Sequence, residues 1–425
     1  YMEPLTTRPR GTEDVLGPVA QAWQYLEQTA RRLAGRYGYE EIRTPVFEHT
    51  ELFVRSAGDT SDIVSKEMYT FNDRGGRSLT LRPEGTAPVV RAFLENRLYA
   101  GSLPVKLYYL GPMFRYGRPQ AGRLRQFHQF GVEFLGSVEP AADAEVIALS
   151  LEFCRELGLE GVELHLNSVG CPRCRPPYRE ALLAYLGPRQ EELCGDCLDR
   201  YVRNPLRVFD CKQPGCREVL REAPLITSYL CADCARHWAT VKTYLERLGF
   251  AYREDACLVR GLDYYTRTAF ELTAAGIGAQ NSIGGGGRYD GLVEACGGPA
   301  VPAVGFALGM ERVLLALEAQ GRKPGEGMEF RVFVAVTEGV DRAEAAEVVL
   351  RLRRAGYTTE QDYLERSLKA QMKHAARWRA AVTLILGPEE LREGKVTLRV
   401  MDGGLQEKVA LVDLETALEQ FRSTP

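Results

Sequence analysis

KLYYLGPMFRYGRPQAGRLRQFHQFGVEFLG, residues 106–136, is two strand-like runs about a Gly/Pro loop. Period-two alternation along the second run puts Arg123, Arg125, Phe127, Gln129 and Glu133 on one face. Leu124, His128, Phe130, Val132 and Phe134 fall on the other, a core face whose one histidine is expected to be satisfied inside it. The first face lines up two cations, an aromatic ring, an amide and a carboxylate. Solvent exposure alone would account for it, but Arg115 on the partner strand changes the weighing. Arg115 and Arg123 bracket a loop able to close over a polyphosphate. Guanidinium forks match phosphate oxygens bidentately, and Phe127 offers a flat apolar surface for a purine. Glu133 lies about 13 Å along the strand from Gln129, far from the phosphate end. The strip is graded: phosphate, base, then a group that wants a carboxylate.

Neither a G-x-x-x-x-G-K-[ST] loop nor a G-x-G-x-x-G after a leading strand occurs, which argues against P-loop and Rossmann sites. Arginines on an antiparallel sheet are a different way to hold ATP. LRPEGTAPVVR adds Glu84 and Thr86 just ahead of a helix. Thr86 suits a helix cap, and Glu84 suits a substrate ammonium. RGLDYYT (260–266) packs a cation and two phenols beside a turn, either as a hairpin corner or as a pocket wall. Adjacent residues of a flat strand point to opposite faces. Tyr264 and Tyr265 can therefore share a pocket only if the chain bends before the strand starts. We favour that bend, with Tyr265 the first choice for ligand contact.

The 425 residues suffice for two or three domains. No apolar run approaches the roughly 18 residues of a membrane span, and the N-terminal stretch has no secretory h-region, so a cytoplasmic protein is expected. The net charge of −3 leaves any nucleic-acid partner to local basic patches. Eleven cysteines in such a chain point to a reducing compartment. Cys171 and Cys174, Cys194 and Cys197, and Cys231 and Cys234 form C-x-x-C pairs, with Cys211 and Cys216 a looser fourth. Two such pairs complete a tetrahedral zinc site; inert buried thiols are the alternative. Spacing does not say which four would ligate.

Along the chain, a helix is expected at 19–37, an extended EEIRTPVFEH, and a hairpin about Arg74-Gly75-Gly76. Helices are expected from Pro88 and over 141–157. Residues 166–252 read as an inserted, mostly helical, cysteine-rich subdomain. Strand TRTAFELT, a loop SIGGGGRYDGL, strand VPAVGFALG and helix MERVLLALEAQ close a domain over 1–325. After a linker-like 319–328, residues 330–425 form a mixed α/β unit. Its 15 Lys and Arg balance 15 Asp and Glu over 331–425, so it is not basic overall. The 366–378 helix nonetheless gathers Lys369, Lys373 and Arg377, with Arg379 beside them, for which a solvated face and a phosphate-backbone contact are both open.

RGTEDVLG (10–17), TLRPEGTAPVVRA (80–92), GPMFRYGRPQAGRLRQFHQFGVEFLG (111–136), LVRGLDYYTRTAFE (258–271), SIGGGGRYDGL (282–292) and AVGFALGMERV (303–313) together resemble histidyl-tRNA synthetase, a class II aminoacyl-tRNA synthetase. The resemblance covers nearly the whole chain. It implies an α+β catalytic domain on a mainly antiparallel sheet, a helical insertion, and a C-terminal mixed α/β domain of the anticodon-binding type. FRYGRPQ-to-GVEF and GMER resemble the motifs shared across class II. RGLDYYT and GGGGRYDGL resemble the segments particular to the histidine enzymes. GYEEIRTPVFEHTELF (38–53) is the counterpart of the dimer-forming motif, so the resemblance implies a homodimer.

The implied reaction joins histidine to ATP as histidyl-adenylate, then passes the histidyl group to tRNA(His), with Mg²⁺ on the outer phosphates. Carried over by resemblance, Arg115 holds the α-phosphate and Arg260 faces it from the other side, the two catalytic residues. Arg123 and Arg312 take the outer phosphates, Phe127 stacks on adenine, and Glu311 joins the ATP subsite. Glu84, Gly85, Thr86 and Gln129 take the amino acid's ammonium and carboxylate. Glu133, Tyr264 and Tyr265 surround the imidazole, Arg260, Tyr289 and Gly305 also belong to the histidine site, and Gly285 lets the backbone approach closely. The chief rival is the non-catalytic regulatory subunit of ATP phosphoribosyltransferase, which shares the core fold. The presence of 331–425, and of the arginines and both tyrosines, argues against it.

Overall fold

The computed structural model describes residues 6–58, 61, 63–278, 281–325 and 330–422. The first five residues, and 326–328 of the linker-like stretch, lie outside them. The chain divides into two compact units between Pro324 and Gly325. In chain order the strands of the first are β1 (Glu40–Glu41), β2 (Phe47–His49), β3 (Tyr69–Asn72), β4 (Ser78–Leu81), β5 (Val105–Phe114), β6 (Gln126–Leu135), β7 (Glu163–Ser168), β8 (Arg253–Glu254), β9 (Thr266–Thr273), β10 (Ser282–Arg288) and β11 (Ala303–Gly309). Among the described residues, one eight-stranded sheet runs β1-β5-β6-β11-β10-β9-β7-β8. Its pairs are antiparallel except β1 with β5 and β7 with β8. The sheet is mainly antiparallel, as expected; β2, β4 and β3 form a smaller one.

Alternation places the core on one side of the large sheet. Phe130, Val132 and Phe134 of β6, with Phe306 and Leu308 of β11, pack against Trp23, Leu26 and Leu33 of helix Gly17–Arg36 and Val146, Leu149 and Phe153 of helix Pro140–Glu156. Phe130 and Val132 are fully buried, each stabilising the fold by roughly 1.5–3 kcal/mol. Helix Thr86–Glu95 covers part of the other side, through Val89, Val90 and Phe93 on Leu107, Tyr109 and Met113. The remainder of that side is left open.

Three expectations need correction. SIGGGGRYDGL is not a loop: its first seven residues are β10, inside the sheet between β9 and β11. Glycine's poor strand propensity makes such a run read as a turn. Here the lack of side chains is what lets the neighbours close in, since a Cβ on Gly286 would lie 2.0 Å from the Gly305 carbonyl oxygen. His128 is not a core residue. Its side chain is 29% exposed, with Nδ1 3.0 Å from Glu311 Oε1 and the ring edge-on to Trp23. Arg125 does not join the strip, because β6 begins only at Gln126; it lies over the Tyr116 ring at 4.2 Å instead.

The insertion builds a small core of its own. Tyr178 and Leu182 of helix Arg175–Leu186 meet Val208, Val219 and Ile226. Its last helix, Ala232–Arg247, returns to the main core through Trp238, Val241 and Leu245.

In the second unit, β12 (Arg331–Val336), β13 (Thr358–Gln361), β14 (Val382–Leu386), β15 (Lys395–Val400) and β16 (Gln406–Ala410) form a mixed sheet ordered β13-β12-β14-β15-β16. Helices Arg342–Arg354 and Leu414–Arg422 cover one face, and Leu368–Arg377 the other. Asp341 starts the first of these by accepting from the Ala343 amide at 2.9 Å. Lys369, Lys373 and Arg377 are exposed on their helix, while Arg379 falls beyond its end.

Candidate active site

The open side of the large sheet holds a cavity of about 580 Å³. At one end stand the cations. Arg115 is fixed by donating from Nε to the Pro83 carbonyl at 2.8 Å and lies 5.2 Å from the Phe127 ring. Arg123 lines the wall beside it, and Arg312, from the first turn of helix Met310–Ala319, donates to the Ser282 carbonyl. Burial lowers the pKa of Arg115 and of Arg312, and neighbouring Arg123 lowers each further. Cations crowded this way call for an anion. Glu311 also lines the cavity, but both its oxygens accept from the His128 amide, at 2.9 and 3.0 Å, which ties the helix to β6.

The middle of the wall is RGLDYYT. Strand β9 starts at Thr266, and residues 261–264 form a bend and a turn, so both Tyr264 and Tyr265 line the cavity. Their rings are 4.8 Å apart, and Tyr264 stands edge-on to Tyr289 at 5.6 Å. Arg260 donates from Nη1 to Glu271 Oε2 at 2.8 Å. Its buried Nε makes no hydrogen bond, which is costly unless a ligand supplies an acceptor.

Next to Arg115 lies a polar slot. Glu84 lines it, with Oε2 and Oε1 accepting from the Thr86 and Ala87 amides at 2.6 and 2.9 Å. Glu84, not Thr86, therefore caps this helix. Burial raises the Glu84 pKa, only partly offset by those amides. Gln129 lines the cavity, and its buried Oε1 has no partner. Glu133 is just 1% exposed and sits behind the wall. Its Oε1 accepts from the Thr86 hydroxyl at 2.7 Å, its Oε2 from the Tyr289 hydroxyl, and both donors line the cavity. Burial pushes the Glu133 carboxyl up to about 8, against the pull of those two hydrogen bonds.

Gly285 and Gly305 line the cavity, and a Cβ on Gly305 would meet Glu133 Oε2 at 2.1 Å. Gly85 lies under the wall, where a Cβ would strike the Tyr109 ring at 2.3 Å. The structure thus gathers Arg115, Arg123, Phe127, Gln129, Glu84, Thr86, Arg260, Tyr264, Tyr265, Gly285, Tyr289, Gly305, Glu311 and Arg312 on one cavity, and leaves Glu133 and Gly85 just behind it. Sequence reasoning missed Glu271, Tyr109, and Arg207 and Asp210 of the insertion, all of which line it. Glu271 carried a signal: it stands five residues into β9, on a strand otherwise free of charge apart from Arg267.

The cysteines separate into two quartets, Cys171, Cys174, Cys231 and Cys234, and Cys194, Cys197, Cys211 and Cys216, each with sulfurs within 4.8 Å of one another. The looser pair is thus needed to complete the second. Among the described residues no helix is long and apolar enough to cross a membrane.

An antiparallel sheet bearing arginines, a stacking ring and a polar slot, followed by a mixed α/β unit, has the architecture of a class II aminoacyl-tRNA synthetase. Within that class, the chain belongs to the histidyl-tRNA synthetase family: residues 11–313 match the histidyl-tRNA synthetase profile and residues 331–421 that of an anticodon binding domain. It is 64% identical to a histidine–tRNA ligase of Moorella thermoacetica, covering 96% of each chain, and 59% identical to one of Pelotomaculum thermopropionicum over the same shares. The apo S. aureus histidyl-tRNA synthetase is similar in structure, with TM-score 0.82 and 39% identity across 99% of this chain and 100% of that one. A Bacillus halodurans protein titled as an ATP phosphoribosyltransferase regulatory subunit/histidyl-tRNA synthetase, 22% identical with TM-score 0.65 over 91% of this chain and 99% of its own, shares the fold alone.

Proposed function

We propose that the cavity joins histidine to ATP as histidyl-adenylate, releasing pyrophosphate, and then transfers the histidyl group to tRNA(His). The observation that carries this reading is a single cavity with a cationic end and a polar slot, where Gln129 Oε1 and Arg260 Nε are buried without partners. No protein base is needed, since the substrate carboxylate is already the nucleophile. The chain has to position it and stabilise charge growing on the α-phosphate, a task for Arg115 and Arg260. Arg123 and Arg312 hold the outer phosphates and Phe127 stacks on adenine. Carboxylates Glu67, Asp210 and Glu271 line the same cavity, with Glu271 held by Arg260 and Asp210 by Arg207; Mg²⁺ would come with the ATP and supply charge neutralisation at the outer phosphates.

Glu133 works through its neighbours. Once Glu133 is ionised, Tyr289 and Thr86 both give their protons to it, which leaves their oxygens facing the slot as acceptors. An imidazole N–H can then donate to Tyr289, the ammonium to Thr86 and Gln129, and Tyr264 or Tyr265 can donate to the second ring nitrogen. A slot that pairs both ring nitrogens rejects apolar analogues by roughly 10⁴-fold. ATP–pyrophosphate exchange with each of the twenty amino acids is expected to proceed with histidine alone; none with histidine would sink the assignment.

A pH effect follows. In the empty pocket Glu133 titrates at about 8 and is mostly protonated at neutral pH. An incoming ammonium and N–H donor favour its ionised form. Histidine binding at pH 7 is expected to release about one proton, and affinity to rise by at most about tenfold per pH unit until pH 8. Calorimetry in buffers of different ionisation enthalpy measures this; proton uptake would refute the assigned polarity.

The unit from Arg331 onward is read as the tRNA-recognising part, with Lys369, Lys373 and Arg377 meeting phosphates. Exposed Phe47 and Phe71 on the small sheet support a homodimer through that face, and cytoplasmic residence is consistent with the cysteine usage. The cysteine quartets fit zinc as a structural ion, with no part in the chemistry.

A further inference from the structure

The insertion grips RGLDYYT at three points. Arg175 donates from Nη2 to the Tyr265 carbonyl. Asn204 donates from Nδ2 to Asp263 Oδ1 at 3.0 Å, and Arg207 from Nη1 to the Gly261 carbonyl at 3.5 Å. Each grip comes from an element that carries or adjoins a cysteine of a quartet. Arg175 follows Cys174 directly. Asn204 ends the helix that carries Cys197, and Arg207 lies in the turn Pro205–Asp210 that runs into Cys211.

The sulfurs are arranged for an ion. Cys171 and Cys174 are 3.6 Å apart, Cys171 and Cys231 3.9 Å, and Cys194 and Cys211 3.8 Å. A tetrahedral zinc with bonds of about 2.3 Å holds its sulfurs roughly 3.8 Å from one another, whereas a disulfide would bring a pair to about 2.05 Å. Backbone amides already donate to the sulfurs: Cys231 to Cys174 at 3.2 Å, Cys194 to Cys216 at 3.2 Å, and Gln213 to Cys211 at 3.4 Å. Such N–H donors stabilise and orient thiolate ligands. The insertion's own apolar core is small, the situation in which a metal staple contributes most.

We propose that each quartet binds one zinc ion as four thiolates, and that the two ions hold the 261–265 wall in place and so set the affinity for histidine. Binding takes no redox step: the four thiols give their protons to solvent and four sulfur–zinc bonds form. The coupling, though not the metal sites, rests on the proposed use of the cavity.

The test uses the full chain, purified with a thiol reductant and zinc, with bound metal counted by elemental analysis. About two zinc ions per chain are expected; one or none overturns the two-site assignment. Cys216→Ser is expected to hold about one ion, and a full complement in it would exclude the second quartet as a site. Arg175→Ala leaves both quartets intact. It is expected to keep two ions, to raise the KM for histidine about tenfold and to leave the KM for ATP within about twofold. Arg175→Lys, which can still reach the carbonyl, is expected to recover most of the loss. A histidine KM unchanged in a two-zinc Arg175→Ala protein overturns the coupling. A wild type that holds two ions yet exchanges nothing with histidine overturns the reading of the cavity and the coupling together, and leaves the metal sites standing.

Discussion

Arg260→Ala is expected to slow histidine-dependent ATP–pyrophosphate exchange by roughly 10³-fold while the Kd for histidine moves by less than about threefold. The asymmetry follows from where the guanidinium stands. Glu271 holds Nη1 at 2.8 Å, and the Tyr265 ring centre is 6.0 Å away. The buried Nε is left without a partner. Its side chain is only 18% exposed, so little water competes with an incoming oxygen. Charge on the α-phosphate grows only as the carboxylate attacks, and a fixed cation aimed there acts on the transition state more than on bound histidine. Arg260→Lys is not expected to rescue, because a single ammonium cannot hold Glu271 and a phosphate oxygen in one fork geometry. Exchange rates and equilibrium dialysis on the same preparations separate the two quantities. A variant that loses histidine affinity and keeps its maximal rate would place Arg260 in the amino-acid slot instead.

What could be read in advance depended on whether a signal was local. The Phe127–Gln129 strip was legible because a strand's period is fixed and its residues are chemically unlike. The paired tyrosines were legible as a puzzle whose answer, a bend before β9, needed only backbone geometry. Four consecutive glycines were not legible as a strand. Nothing in residues 284–287 tells that Phe270 and Gly305 carbonyls crowd the space a Cβ would take. The limits of alternation misled twice, at Arg125, which precedes β6, and at His128, whose face of the strand opens toward the N-terminal segment and Glu311. Glu133 was found by type, but its place behind Thr86 and Tyr289 depends on residues 47 and 156 positions away in the chain. The pairing of the cysteines was of that same kind, since Cys171 and Cys174, just ahead of helix Arg175–Leu186, find Cys231 and Cys234 at the start of helix Ala232–Arg247.

The other large effect is expected outside the cavity lining. Arg288 closes β10 with a side chain that is 0% exposed, and Asp143, also 0% exposed, pairs with it from helix Pro140–Glu156. Arg288 Nε lies 3.1 Å from Asp143 Oδ2, and His237 Nε2 of helix Ala232–Arg247 is 3.3 Å from Oδ1. Three elements thus share one buried charge cluster, and Asp143→Ala would take the fully buried carboxylate from Arg288 and leave it the partly exposed Asp290, 3.0 Å from its Nη1. Breaking a buried pair from one side costs about 3–5 kcal/mol, which in a unit of this size lowers Tm by on the order of 10 °C. Replacing both partners, as in Asp143→Leu with Arg288→Met, is expected to recover much of the loss, because no charge is then left buried. The pair also predicts an acid limb. Burial alone would raise the Asp143 carboxyl, but Arg288 and His237 outweigh it and hold it at about 2, below the ordinary 3.8. The stability it contributes is therefore present above about pH 4 and is lost as the pH falls through 2. Glu133 has the opposite sign: titrating at about 8 in the fold, it contributes stability below about pH 4.5 that is lost as the pH rises through 8. Thermal melts from pH 2 to 9 should show the gap between wild type and Asp143→Ala closing only on the acid side. A gap that stayed constant down to pH 2 would mean that packing around Arg288, and not its pairing with Asp143, holds β10 to the helices.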